Sequence, residues 1–228
     1  MCRENKEVET IKYKGIIFDL DGTLLDSIPV WSKVGEKFLE SQGIAPPPQL
    51  KKALKKKSLR QAAEYFIETF RLDFAADEII TRINNIVEHH YKNTIPLKPY
   101  VREFLNYLRD KNVKMCIATA SNKELVERAL DRHGILSYFE FVLTCEEVGV
   151  GKDQPDIFIQ AVQRLGLNIK DVLIFEDSIH CIKTAKNAGF KVVGVYEQSA
   201  GDRVKEMKIL SDYFIYSFQE IKNMDLFV

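Results

Sequence analysis

The sequence predicts an α/β fold, in which a parallel sheet covered by helices on both faces carries one inserted bundle of helices. From residue 101 onward, short apolar runs alternate with helical segments, the pattern of a parallel sheet with helices on each face. Between the first apolar run, 16–18, and residue 96 the apolar residues recur at helical spacing instead. Polar residues follow several of the apolar runs, at the sheet edge where such proteins bind ligands.

The strands of the core are expected in short apolar runs bounded by polar or turn residues. They are predicted at 16–18, 113–118, 141–143, 172–175, 192–195 and 213–215. Helices are expected between them, around 104–108, 125–130, 157–165 and 179–188, the last closed by Gly189. This alternation predicts a single α/β core made of residues 12–27 and 97–228.

The insert is predicted to be a helical bundle at residues 28–96. Its first helix is indicated by Trp31, Val34 and Phe38 and is expected to end at Gly43. Three prolines at 46–48 then interrupt the chain. Two further amphipathic stripes follow, one at 59–70 and one at 79–87.

Composition limits the kinds of partner that the chain can have. Lys+Arg and Asp+Glu number 33 each, so no overall field favours nucleic acid or an acidic membrane surface. No apolar run approaches the ~20 residues of a transmembrane helix, and the charged leader 1–12 lacks the apolar centre of a signal peptide. We expect this leader to be a frayed tail. The cysteines show no metal-binding or redox spacing, so a reduced, cytoplasmic protein is expected: Cys2, Cys116, Cys145 and Cys181.

Two aspartates directly follow the first predicted strand. Asp19 and Asp21 are two residues apart, so they can face one pocket where the chain leaves the sheet, and Gly22 permits a tight turn there. Neighbouring carboxylates repel each other unless a cation lies between them. The pair therefore points to a hard metal ion and a phosphate-like ligand.

Polar residues at the ends of later strands extend this pattern. Thr119, Ser121 and Asn122 follow the second strand and precede a helix, whose first N–H groups can bind an anion. Ser121 or Asn122 can equally cap that helix. Lys152 stands in a glycine-containing loop, and Glu176-Asp177 follow a fully apolar strand.

These motifs together resemble those of the haloacid dehalogenase-like (HAD) hydrolases. Asp19-Leu20-Asp21-Gly22-Thr23 is similar to the first motif of that family, Thr119 to the second, Gly151-Lys152 with Pro155-Asp156 to the third, and Glu176-Asp177 to the fourth. Asp153 replaces the usual proline of the third motif, and Cys181 replaces a usual glycine. The resemblance spans most of the chain. It implies a Rossmann-like parallel-sheet core with an inserted helical cap domain.

The resemblance also implies a reaction, the Mg²⁺-dependent hydrolysis of a small phosphate monoester. Asp19 would be the nucleophile and Asp21 the general acid and base, with Lys152 and Thr119 holding phosphoryl oxygens. The Mg²⁺ site would comprise Asp19, the backbone carbonyl of Asp21, Asp177 and, directly or through water, Glu176. The side chains expected to contact the substrate are Thr23, Trp31, Ser121 and Asn122. The expected partner is a small-molecule phosphate ester, and the protein is expected to be a monomer or weak dimer.

Three alternative functions stay open on the sequence. β-Phosphoglucomutase shares the cap and motifs, but it has a histidine at the position aligned with Trp31 and a G-V-S-R run where this chain has residues 56–59. A phospho-receiver module would carry its aspartate on a middle strand and lack the insert. A catalytically silent phosphate-binding protein would have no need of the complete motif set. Sugar phosphates, nucleotides, pseudouridine phosphate and phosphoglycolate all suit this layout.

Overall fold

The fold is given by a computed structural model that describes residues 12–54, 57, 59–224 and 226. The predicted frayed tail lies outside these residues apart from Lys12, and so do Lys56 and Ser58 of the run compared with the mutase. The chain divides into two compact units, an α/β unit formed by Met1–Leu25 and Leu97–Val228 and a helical unit formed by Asp26–Pro96.

Within the described residues, the strands of the α/β unit form one six-stranded sheet in the order β3-β2-β1-β4-β5-β6. Every neighbouring pair of strands is parallel. The strands are β1 Gly15–Phe18, β2 Lys114–Thr119, β3 Val142–Thr144, β4 Val172–Glu176, β5 Lys191–Val195 and β6 Tyr213–Ile215. The predicted α/β fold is confirmed, with strand ends shifted by about one residue.

The helices of the two units follow in chain order. The helical unit contains α1 Ile28–Trp31, α2 Val34–Ser41, α3 Leu50–Leu54, α4 Leu59–Phe70 and α5 Ala76–Asn93. The α/β unit contains α6 Val101–Asp110, α7 Lys123–Arg132, α8 Cys145–Val148, α9 Asp156–Leu165, α10 Ile179–Asn187 and α11 Val204–Leu210. Among the described residues no helix is long and apolar enough to cross a membrane.

The helical unit has its own apolar core. Phe38 of α2 packs against Phe66 of α4 with ring centroids 5.1 Å apart, and α5 contributes Ile79, Ile83 and Val87, all buried. The single helix predicted over Trp31 to Phe38 is wrong, because the chain breaks at Ser32 and Lys33 into α1 and α2. Gly43 follows the end of α2 at φ +75°, the left-handed conformation that favours glycine.

The core of the α/β unit surrounds β1, which is buried along its whole length. Phe18, its last residue, pairs in register with Ile117 of β2 and Phe175 of β4. The ring of Phe18 lies 5.0 Å from that of Phe175 and packs edge-on against Phe104 and Phe139. The residue that follows Phe18 therefore leaves the sheet from a rigid, central position.

Candidate active site

The centre of the candidate site is the carboxyl end of β1. Asp19 follows Phe18 directly, and its backbone N–H donates to the carbonyl of Phe175 at 2.9 Å, which extends the ladder to β4 by one residue. The chain then turns, and the N–H groups of Leu24 and Leu25 both donate to the carbonyl of Leu20 at 2.9 Å. We call residues 20–25 the Asp21 turn.

Glycine makes the Asp21 turn possible. Gly22 has φ +89°, which side-chain-bearing residues rarely adopt, and its N–H donates to the carbonyl of Leu25 at 2.9 Å. Asp21 is half-buried in this turn, while Asp19 is only 8% exposed. The Asp-x-Asp-Gly sequence therefore holds two carboxylates in different surroundings at one edge of the sheet.

The end of β4 brings a second acidic pair to the same place. Asp19, Glu176 and Asp177 each contribute one carboxylate oxygen to a cluster in which all three oxygens lie within 4.8 Å of one another. Thr23 of the Asp21 turn donates from Oγ1 to Oδ1 of Asp177 at 3.5 Å. The sequence predicted these acids as one site, and the structure brings them together.

Lys152 is a buried cation among these acids. Its Nζ forms ion pairs with Asp19 and, at 3.0 Å, with Oε2 of Glu176. The other oxygen of Glu176 accepts from the backbone N–H of Ser178 at 3.1 Å, so both oxygens of Glu176 have protein donors. Glu176 therefore fixes Lys152 and the start of α10 in addition to its place in the acidic cluster.

The loop that carries Lys152 accommodates Asp153, which stands where the third motif usually has a proline. The N–H of Gln154 donates to the carbonyl of Gly151 at 3.0 Å, which closes a turn around Lys152 and Asp153. Oδ1 of Asp153 folds back over Gly151 and would lie 2.6 Å from a β-carbon placed there. A side chain at position 151 would therefore require Asp153 to move, and Lys152 stays buried although Asp153 replaces the proline.

The polar residues at the end of β2 and just after it have three different sets of partners. Thr119 is 1% exposed and its Oγ1 accepts from the N–H of Ser121 at 3.0 Å. Ser121 donates from Oγ to Oδ2 of Asp21 at 2.6 Å, a contact that the sequence does not indicate. Oδ1 of Asn122 accepts from the N–H groups of Glu124 and Leu125, so Asn122 caps α7, and its contact with substrate stays a prediction.

Trp31 belongs to the helical unit and lies half-buried in α1. Its indole Nε1–H donates to the hydroxyl of Tyr91 on α5 at 3.1 Å. The indole N–H is therefore used within this unit. A substrate contact of Trp31 would be made by the apolar face of its ring. Its predicted contact with a substrate stays a prediction.

Burial and mutual repulsion change the ionisation of the site. Loss of solvation, followed by the charge of Glu176, raises the pKa of Asp19 from 3.8 to about 7. Loss of solvation and the charges of Asp19 and Glu176 raise the pKa of Asp177 well above its ordinary value. Burial opposes the charge of Lys152, but Asp19 and Glu176 outweigh it and raise the lysine pKa well above its usual range.

This donor set fits a divalent cation. Carboxylate oxygens are the ligands that hard ions such as Mg²⁺ prefer, and three of them converge here. Lys152 lowers the pKa values of Asp19 and Asp177, but burial and the repulsion between the carboxylates outweigh it and keep both raised. A bound dication would supply further positive charge.

Two residues near the site were missed by the sequence analysis. Lys98 and Glu197 form an ion pair at 2.8 Å, with side chains 12% and 8% exposed. They are almost a hundred positions apart, and neither belongs to a motif. A lysine between two prolines carries no signal that it will be buried, so no local pattern could have identified the pair.

Fold and site define an α/β protein with an acidic, lysine-bearing site at the carboxyl ends of its central strands. The chain belongs to the haloacid dehalogenase-like hydrolase family, whose model matches residues 16–195. The predicted resemblance of the chain to that family is therefore confirmed.

Several named phosphatases match most of the chain. The phosphorylated carbohydrates phosphatase of Thermotoga maritima is 27% identical over 184 residues, covering 80% of this chain and 85% of the relative. Hexitol phosphatase A of Escherichia coli is 27% identical over 211 residues, covering 92% and 94%. The structure of a HAD hydrolase of family IA, variant 3, from Entamoeba histolytica shares the fold, with TM-score 0.78 at 21% identity, covering 93% of this chain and 97% of that one.

Proposed function

We propose that the protein is a Mg²⁺-dependent phosphatase that hydrolyses a small phosphate monoester through an aspartyl-phosphate. The observation that carries this proposal is the grouping of Asp19, Lys152, Glu176 and Asp177 at one edge of the sheet. Hydrolysis of such esters is extremely slow without a catalyst, so a site must stabilise much developing negative charge. One buried lysine and a cluster able to hold a dication meet that need.

In the first half of the reaction, a carboxylate oxygen of Asp19 attacks phosphorus and the bond to the leaving oxygen breaks. Asp21 gives its proton to that oxygen, so an alcohol leaves and an aspartyl-phosphate stays. Lys152 and Thr119 bind phosphoryl oxygens, which places positive charge and a hydroxyl donor where charge develops. Mg²⁺ held by Asp19, the carbonyl of Asp21 and Asp177, with Glu176 beside them, would neutralise the phosphoryl group and orient it.

In the second half, water attacks phosphorus and the bond to Asp19 breaks. Asp21, now ionised, takes a proton from that water, so inorganic phosphate forms and Asp19 regains its carboxylate. A positioned acid or base typically accelerates a step by ~10²–10⁴-fold, and Asp21 would serve in both halves of the reaction. Ser121 supports this role, because its hydroxyl donates to Oδ2 of Asp21 and orients the carboxyl group.

We further propose that the insert, residues 28–96, is a cap domain that contacts the leaving group. Its place in the chain, between the strand that carries Asp19 and the rest of the sheet, supports this assignment. Trp31 is the proposed contact, through its ring face. Thr23 and Asn122 are the other proposed substrate contacts. We expect the enzyme to act in the reducing cytoplasm, as a monomer or weak dimer.

The proposal is tested by phosphate release from a panel of esters, with Mg²⁺ and with EDTA. The panel starts with sugar phosphates and hexitol phosphates, because the relatives in Thermotoga maritima and Escherichia coli are named for such substrates. We expect release that requires Mg²⁺ and differs among esters. Conversion of β-glucose 1-phosphate to glucose 6-phosphate without release of phosphate would favour the mutase instead. Neither activity on any ester would favour a silent binding protein.

Mg²⁺ binding should strengthen as the pH rises. The folded, metal-free protein holds protons on Asp19 up to pH about 7, whereas the unfolded chain releases them near 3.8. The contribution of Asp19 to the free energy of unfolding is therefore lost as the pH rises from 3.8 to about 7. Asp177, whose pKa is also raised, acts in the same direction. Ionised carboxylates bind Mg²⁺ best, so the rise in melting temperature caused by Mg²⁺ should be larger at about pH 8 than at about pH 6.

The matched control for this pH dependence is Asp19→Asn. This variant should show a smaller Mg²⁺ effect that changes less between the two pH values, because the asparagine does not titrate. An Mg²⁺-induced shift in the wild type that is equal at both pH values would contradict the prediction.

A further inference from the structure

The largely buried ion pair between Lys98 and Glu197 joins two parts of the α/β unit. Nζ of Lys98 contacts Oε2 of Glu197 at 2.8 Å and also donates to the carbonyl of Tyr196 at 2.8 Å. Tyr196 and Glu197 directly follow β5, at the same edge of the sheet as the candidate active site. Removing two charges from water is costly, so a pair of this kind calls for an explanation beyond stability.

The backbone of Lys98 has a different partner from its side chain. Its N–H donates to the carbonyl of Leu24 at 2.9 Å, and Leu97 forms an antiparallel bridge with Leu25. Leu24 and Leu25 are the last residues of the Asp21 turn. The segment Leu97–Lys98 is therefore the outer support of that turn, in the way that a neighbouring strand supports a hairpin.

Lys98 thus ties the Asp21 turn to a rigid part of the sheet. β5 pairs with β4, and the register places Glu176 opposite Gly194, two residues before Tyr196. The anchor of Lys98 and the acidic cluster consequently lie on adjacent strands. If the side chain of Lys98 loses its anchor, the support behind Leu24 and Leu25 loosens while the strands themselves stay in place.

We propose that Lys98 and Glu197 are a positioning pair that holds the Asp21 turn in the geometry needed for proton transfer to the leaving oxygen. The inference rests on the proposed phosphatase function and on Asp21 as its general acid. Neither residue is among those proposed to contact the reacting atoms. The pair acts through the backbone of residues 97–98 and the turn that they support.

Comparing two esters with different leaving groups distinguishes a positioning role from a general loss of stability. An alkyl phosphate needs a proton on its leaving oxygen, whereas p-nitrophenolate is a stable anion that leaves without one. A misplaced Asp21 therefore slows the first ester more than the second. The later hydrolysis of the aspartyl-phosphate is the same for both esters, so the comparison uses kcat/KM, which reports the transfer of the phosphoryl group to Asp19. We expect Lys98→Met and Glu197→Gln to lower kcat/KM for the alkyl ester at least about 10-fold more than for p-nitrophenyl phosphate, since a shift of about 1 Å in a catalytic group can cost 10²-fold.

Three further variants make the experiment decisive. Asp21→Ala gives the largest leaving-group selectivity attainable, and Lys98→Arg, which keeps the charge, should recover part of the rate. The double variant Lys98→Met/Glu197→Gln leaves no unpaired charge, so it decides the question where a single variant fails to fold. Equal losses of kcat/KM on both esters in the double variant, or no loss, would overturn the positioning role.

A second ion pair provides the matched control. Lys186 pairs with Asp212 at 2.6 Å, with side chains 29% and 13% exposed, at the opposite edge of the sheet where β5 and β6 begin. Lys186→Met should lower the melting temperature without changing the ratio of the two rates. The same ratio change in this control would also overturn the proposal. A wild-type protein inactive on every ester would instead remove the proposed function, and the positioning role with it.

Discussion

Replacing Asp19 with asparagine is expected to abolish Mg²⁺-dependent phosphate release, with a loss on the order of 10³-fold or more. An amide oxygen is a poor nucleophile, so no aspartyl-phosphate can form. The measurement is inorganic phosphate released from the best ester of the panel, for both proteins at saturating Mg²⁺. Trapping of a phosphorylated wild-type protein by acid quench, absent in the variant, would identify the intermediate directly.

The folding of Asp19→Asn is expected to be intact, which makes the variant informative. Asp19 is a buried carboxylate whose pKa burial and Glu176 raise to about 7, so its charge opposes folding at neutral pH. Lys152 keeps its second partner, Glu176, at 3.0 Å. The metal-free variant should therefore melt no lower than the wild type. Substantial activity in a well-folded Asp19→Asn protein would refute the assignment of the nucleophile.

Lys152→Met is expected to have the second largest effect, and it should reduce both activity and stability. Methionine fills a similar volume but leaves the buried carboxylates of Asp19 and Glu176 without their cation. Breaking a buried pair in this way costs about 3–5 kcal/mol. Loss of one charge that stabilises the transition state should lower kcat by about 10²–10³-fold. Urea unfolding and steady-state kinetics measure the two effects separately.

Saturating Mg²⁺ and a double variant separate the stability effect from the catalytic one. Mg²⁺ should restore part of the stability of Lys152→Met, because the dication replaces the missing charge, but it should not restore kcat. Lys152→Met/Glu176→Gln removes one of the two orphaned carboxylates and should be more stable than the single variant. A single variant with wild-type kcat would contradict the proposed role of Lys152.

The parts of the fold that the sequence predicted well are those set by local pattern. Each strand is a short apolar run, and the position of 213–215 in the sequence agrees with β6. The grouping of Asp19 with Glu176 and Asp177 also followed from a local rule, because the carboxyl ends of parallel strands share one edge. The strand order, in which β1 lies between β2 and β4, cannot be read from any single run of residues.

The short helices α8 and α11 had no counterpart in the prediction. α8, Cys145–Val148, is only one turn long and depends on a capping box, in which Thr144 and Glu147 exchange hydrogen bonds. α11, Val204–Leu210, buries Met207 alone, so its apolar pattern is too weak to indicate a helix. Short elements of this kind are stabilised by caps and tertiary contacts rather than by periodicity.

Contacts between distant residues were equally beyond prediction. The hydrogen bond from Ser121 to Asp21 links positions a hundred residues apart, and the pair of Lys98 and Glu197 links positions almost as distant. Each depends on side-chain rotamers that only the assembled sheet determines. The sequence therefore indicated which chemical groups meet at the candidate site, whereas their partners and orientations required the structure.

The points at which the helical unit leaves and rejoins the sheet are neighbours. The N–H of Asp26 donates to the carbonyl of Pro96 at 3.0 Å, and the residues just outside these two form the bridge between Leu25 and Leu97. An insertion whose two ends already meet can be shortened, lengthened or exchanged without moving the strands that carry Asp19 and Asp177. Under the proposed cap role, replacing this one unit would change the selectivity of such a protein and leave the strands that carry Asp19 and Asp177 unchanged.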